Sequence, residues 1–138
     1  MKKIMNIAIG YAILGMVAGV FYREFTKFNS FTGETTLSVV HTHLFVLGMI
    51  MVLIIGIFAF QTNLLDVKKF NIFFLLYNLG VVMASIMLTV RGVTTVVGAN
   101  ISTGLDASIS GISGISHIIL AIGLIGLLFC IKKVVVKL

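Results

Sequence analysis

The chain has 138 residues, 59% of them hydrophobic and only 10% charged, with a formal net charge of +6 and a mean hydropathy of +1.21. A soluble domain of this size has too little interior to hide so much apolar surface, so the composition excludes one and points to the membrane. The basic surplus does not indicate nucleic acid, because the cations sit in pairs flanking apolar runs, where they contact lipid headgroups and set orientation.

A helical span needs about 20 apolar residues. Four such runs predict one all-α domain over residues 1–138, an integral membrane four-helix bundle with spans near 4–22, 37–60, 71–91 and 115–131. There is no Pro to interrupt them. The first run follows Lys2 and Lys3 as a signal peptide would, yet no small-x-small cleavage site precedes Arg23, so it reads as a retained span. Its Gly15 and Gly19 form a GxxxG pattern that permits close helix approach. A polar connection follows, with Thr35, Thr36 or Ser38 as caps for the second span. That span opens on His41 and His43, and Gly48, seven residues after His41, leaves a flat place for a planar ring or for another helix. The third span carries Tyr77 and Asn78 as polar interruptions and closes on Arg91. Residues 92–116 repeat Ile-Ser-Gly and predict a re-entrant or surface-lying segment roofing the bundle. Ser113 or Ser116 would then cap a fourth span headed by His117, and Cys130 near its end reads as a buried, inert thiol.

The charges set the orientation. Lys2, Lys3, Lys68, Lys69, Lys132, Lys133 and Lys137 fall on one side and Arg23, Lys27 and Arg91 on the other, predicting a protein of the cytoplasmic (inner) membrane with both termini facing the cytoplasm. His41, His43, His117 and Arg91 then share one depth near the outer face.

Successive helical residues are about 100° apart, so His41 and His43 point to roughly opposite sides and serve two sites, or one site in their own subunit and one in a neighbour. An imidazole inside an apolar span is a functional-site candidate by default. The ordinary alternative is hydrogen bonding to hydroxyls or carbonyls of neighbouring helices. With no Cys, Asp or Glu beside them in the spans, these histidines suit haem iron, copper or zinc rather than magnesium or calcium. Haem has the advantage. It wants axial imidazole, an apolar cleft such as Leu44, Phe45 and Met49 offer, and a cation such as Arg91 for its propionates.

The stretch His-Thr-His-Leu-Phe-Val-Leu-Gly-Met at residues 41–49 resembles the tenth span of the catalytic subunit of haem-copper oxidases and nitric oxide reductases, where a His-x-His supplies axial ligands to two haems. That subunit has twelve spans in three groups of four, and this chain is similar to one group. The resemblance implies a homotrimer rebuilding twelve helices, with b-type haem held by His43 of one protomer and His41 of the next, or by a bis-His pair within one protomer using His117. It carries propionate binding to Arg91 and, loosely, a copper-site histidine to His117. No second histidine adjoins His117 and no His-Tyr pair stands out, so a binuclear oxygen-reducing centre is not implied. The chain also resembles a family of small four-span bacterial membrane proteins sharing the His-x-His and the Ser-Gly-Ile-Ser-Gly-Ile-Ser-His pattern. The expected function is electron transfer or redox or gas sensing with a redox partner, oxidoreductase-like if haem is bound. The alternatives are a copper- or zinc-binding membrane protein and a cofactor-free accessory subunit.

Overall fold

The computed structural model describes residues 1–136, so Lys137 lies outside the described residues. Four helices, α1 (Lys2–Phe28), α2 (Leu37–Gln61), α3 (Phe70–Val96) and α4 (Thr103–Val135), are each long and apolar enough to cross a membrane. Among the described residues there is no strand, and one short 3-10 turn, Leu64–Asp66, lies between α2 and α3.

The helices outrun the apolar stretches that announced them. An apolar run marks only the part of a helix that needs hydrocarbon around it, and α1 continues through Arg23 to Phe28, with the Thr26 hydroxyl donating to the Tyr22 carbonyl at 2.9 Å. The largest correction concerns residues 92–116, expected as a re-entrant or surface segment. Most of it is helix, the connection shrinks to residues 97–102, and the turn is made at Gly98, whose φ is +60°. Ser and Gly are weak helix formers in water. Here the Ser108 and Ser116 hydroxyls donate to the carbonyls of Gly104 and Ser113 in their own helix, and Ile109 and Ser116 are buried. A segment so placed keeps its polar groups satisfied only as a helix. The cap is therefore Ser102, whose Oγ accepts the Leu105 N–H at 3.3 Å, rather than Ser113 or Ser116.

Packing follows chain order, α1 on α2, α2 on α3 and α3 on α4. Glycines set the two outer contacts. In α1 the GxxxG face is used within the chain, Gly15 lying beneath the Phe45 ring and Gly19 against His41. Gly48 of α2 lies beneath Tyr11, so its flat place receives another helix. Between α3 and α4, a Cβ added at Gly80 would stand 2.5 Å from the Leu120 Cα, and Gly123 meets the Tyr77 backbone. The middle contact is polar. Thr35 and Thr36 donate their hydroxyls to the carbonyls of Gly92 at 3.1 Å and Leu88 at 2.7 Å, tying the start of α2 to α3. Thr35 Oγ1 also accepts the Leu37 N–H, whereas Thr36, the N-cap, makes no side-chain cap bond.

Below the histidines α2 winds as a π-helix over Leu44–Ile50. Such wider turns concentrate at functional positions. The Leu47 carbonyl within it accepts the Tyr77 hydroxyl at 2.7 Å, and the Tyr11 hydroxyl donates to Asn78 Oδ1 at 2.9 Å. These bonds satisfy two phenols that burial would otherwise make costly.

Candidate functional site

The glycine contacts fix the depth of each candidate residue. Gly80 faces Leu120, so His117, three residues earlier on α4, is level with about Met83 of α3. On the other flank Leu37 packs on Gly92, which puts His43 level with about residue 85. His43 and His117 therefore lie within about one helical turn of each other in depth, with His41 slightly above. The sequence reading expected this common level but set His117 at the head of a span; it stands instead well inside α4, whose first turn begins at Thr103.

Arg91 does not share that level. It lies about 9–12 Å farther toward the end of α3, where its Nη1 meets Asp106 Oδ1 at 2.5 Å and its Nη2 donates to Ser110 Oγ at 2.6 Å. Asp106 and Ser110 occupy the same face of α4, one turn apart. The guanidinium thus caps the α3–α4 contact with one carboxylate already on it.

His41 and His43 face apart, as their spacing requires. His41 turns toward α1, its Cβ 3.8 Å from where a Cβ of Gly19 would be, with the Phe45 ring edge-on at 6.5 Å. Its Nδ1 is buried without a hydrogen-bond partner among the described residues, and its Nε2 reaches only the Thr42 hydroxyl at 3.5 Å. His43 has a different arrangement. Its Nδ1 lies 3.0 Å from the Val39 carbonyl four residues back, and His117 Nδ1 lies 2.8 Å from the Ser113 carbonyl, also four residues back. A carbonyl can only accept, so each Nδ1 donates to it, and the Nε2 of each ring is not used in that bond. Metal-ligating histidines are held in this way.

Helical rotation turns His43 and His117 toward one notch, the gap between α2 and α4 beside α3. The two helices α2 and α4 run in the same direction on either side of α3, so side chains rotated in opposite senses from their α3 contacts meet over the same gap. His43 is rotated roughly a quarter turn from Leu37 and Leu44, on the side away from α1, and His117 roughly a quarter turn the other way from Leu120 and Gly123. Around His43 on this face Val39, Val46 and Ile50 are exposed. Of the residues expected to line a cleft, Phe45 covers Gly15 of α1, Leu44 is buried and Met49 packs against the core.

The donor set suits a haem iron better than a bare ion. Among the described residues no three His, Cys, Asp or Glu side chains gather as metal ligands. Two neutral imidazoles leave a divalent ion's charge uncompensated in a low-dielectric slab, whereas a porphyrin brings four nitrogens and two negative charges of its own. The i−4 carbonyl bonds of His43 and His117 were not legible from the sequence. Only the shared depth was.

No curated protein and no solved structure matches the chain. The family model described as protein of unknown function (DUF2871) matches residues 1–134, nearly the whole length, and the chain belongs to that family.

Proposed function

We propose that this protein is a multi-pass membrane haem protein of the cytoplasmic membrane, in which His43 and His117 would hold the haem iron, that carries electrons or senses a redox partner or gas. The observation that carries the reading is a matched pair of imidazoles at one depth, each with its Nδ1 on a backbone carbonyl four residues back, which leaves its Nε2 for a ligand. Bound haem would supply reversible one-electron chemistry. The chain's own residues do the rest: the Val39 and Ser113 carbonyls fix the imidazole tautomers, Val39, Val46 and Ile50 exclude water, and Arg91 at the mouth of the notch offers a cation for a propionate. Arg91 must share that cation with Asp106, so its propionate contact replaces or supplements an existing ion pair.

The resemblance of residues 41–49 to the haem-binding helix of the oxidases supports the reading. The pairing differs from the cross-protomer one: His41 points into the α1–α2 contact, so haem ligation needs one protomer only. A homotrimer, which the mass of the detergent-solubilised complex measures, remains part of the proposal as an assembly of three complete sites. Helix pairing gathers Lys2, Lys3, Lys68, Lys69, Lys132 and Lys133 at one end and Arg23, Lys27 and Arg91 at the other, which supports termini inside and the notch toward the outer leaflet.

Absorption spectra of the purified protein, oxidised and dithionite-reduced, test the proposal. A Soret band with sharp reduced α and β bands is expected, lost or converted to high-spin form in His43→Ala and His117→Ala and kept in His41→Ala. Colourless protein from haem-replete cells overturns it, and stoichiometric copper or zinc in that sample would establish the metal-binding alternative.

A further inference from the structure

At the opposite end of the bundle from Arg91, two depressions of opposite character meet. One, of about 580 Å³, is polar, with Gln61, Thr62, Asn63 and Asp66 in its wall. The other, of about 310 Å³, runs down between α3 and α4 over Phe73, Gly126 and Phe129. They share Val67, Lys68 and Lys133, and Lys69 lines the second. Gly126 is what makes the apolar groove: it lies beneath the Phe73 ring, where any Cβ would collide, and Phe129 stands 65% exposed beside it.

We infer that this composite groove is a binding site for an anionic phospholipid. A phospholipid has the same two-part character, a polar headgroup joined to acyl chains at a phosphate, and the lysines stand where the parts join. Lys68, Lys69 and Lys133 are exposed, and among the described residues no carboxylate lies within ion-pair distance of them. Lys132 adjoins them, and Asp66 is the sole acid in the wall, so the mouth stays strongly positive. Basic pockets between spanning helices select anionic headgroups, each lysine contributing on the order of a fivefold preference near the surface. The lower groove is walled by Phe73 and Phe129, apolar surface that suits an acyl chain and offers nothing to a soluble anion.

Spin-labelled lipids test this on the full chain reconstituted in phosphatidylcholine vesicles, where the motionally restricted fraction of the electron paramagnetic resonance spectrum reports bound lipid. Labelled phosphatidylglycerol is expected to associate at least about fivefold more strongly than labelled phosphatidylcholine. The preference should collapse in the triple variant Lys68→Gln/Lys69→Gln/Lys133→Gln and survive in the charge-keeping variant with Arg at the same positions. It should also survive in Lys2→Gln/Lys3→Gln, which removes equal-depth charge elsewhere. A preference unchanged in the triple variant, lost equally in the Lys2/Lys3 variant, or abolished by millimolar inorganic phosphate at constant ionic strength would overturn the assignment. All the substituted lysines are exposed, so failure to fold is not expected to obscure the result.

Discussion

The two faces of α2 carry the same residue type two positions apart and treat it in opposite ways. Toward α1 the face is closed: Gly15, Gly19 and Gly48 let the helices touch, and His41 is held in the contact with a buried Nδ1 that none of the described residues satisfies. On the other side the face is open, with Val39, Val46 and Ile50 exposed and His43 Nδ1 tied to the Val39 carbonyl. Residue identity therefore does not decide which histidine is available to a ligand. The neighbouring helix decides, through what it leaves uncovered.

The largest expected effect breaks the open face. Replacing His43 or His117 by Ala should weaken haem retention by well over the ~10- to 100-fold typical of losing a mere supporting contact, read as loss of the Soret band, while the apoprotein's melting temperature changes little. Equal loss of haem in His41→Ala would erase the distinction between the faces. Next in size comes an assault on the closed face. Gly48→Leu puts a side chain where the Tyr11 ring lies, with even its Cβ only 2.5 Å from Tyr11 Cδ1. Overpacking of this kind costs about 1–3 kcal/mol or more, and thermal unfolding in detergent should register it as a fall in melting temperature. The third prediction sharpens the contrast. A buried unsatisfied polar group costs about 1–3 kcal/mol, so His41→Phe, which keeps a ring against Gly19 and removes the orphaned nitrogen, should leave stability unchanged or raise it by about 1 kcal/mol. The same change at His43 should remove the haem.

Much of this architecture was readable in the chain, because membrane spans are announced by composition and length alone. The four spans, the opposed His41 and His43 and the shared depth of the three histidines all follow from apolar runs and a 100° turn. What escaped was decided by tertiary contacts. Residues 92–116 look like a connection because Ser and Gly are poor helix formers, yet burial of Ile109 and Ser116 and the serine back-bonds make them helix. Arg91 looked level with the histidines because the apolar run ends there, whereas α3 continues to Val96 and the histidines sit deeper. The π-helical turn over Leu44–Ile50 has no signature in an all-apolar run, and the partner of the Leu47 carbonyl, Tyr77, is thirty residues away.

The smallest expected effect comes from the glycines of α3 and α4, which separate two reasons for having glycine in a helix. Gly80 and Gly123 are required because a helix backbone lies against them, but Gly111 and Gly114 have nothing within 4 Å of an added Cβ. Neither has a positive φ, so alanine fits both. Gly→Ala at a compatible helical site stabilises by about 0.4–1 kcal/mol, mainly by restricting the unfolded chain. Gly111→Ala and Gly114→Ala should therefore raise the melting temperature of the detergent-solubilised protein slightly, whereas Gly123→Ala, meeting the Tyr77 backbone, should lower it. A fall at Gly111 or Gly114 as well would mean that their open side is covered in the assembled protein, and that the half of α4 above His117 belongs to an interface between copies rather than to lipid.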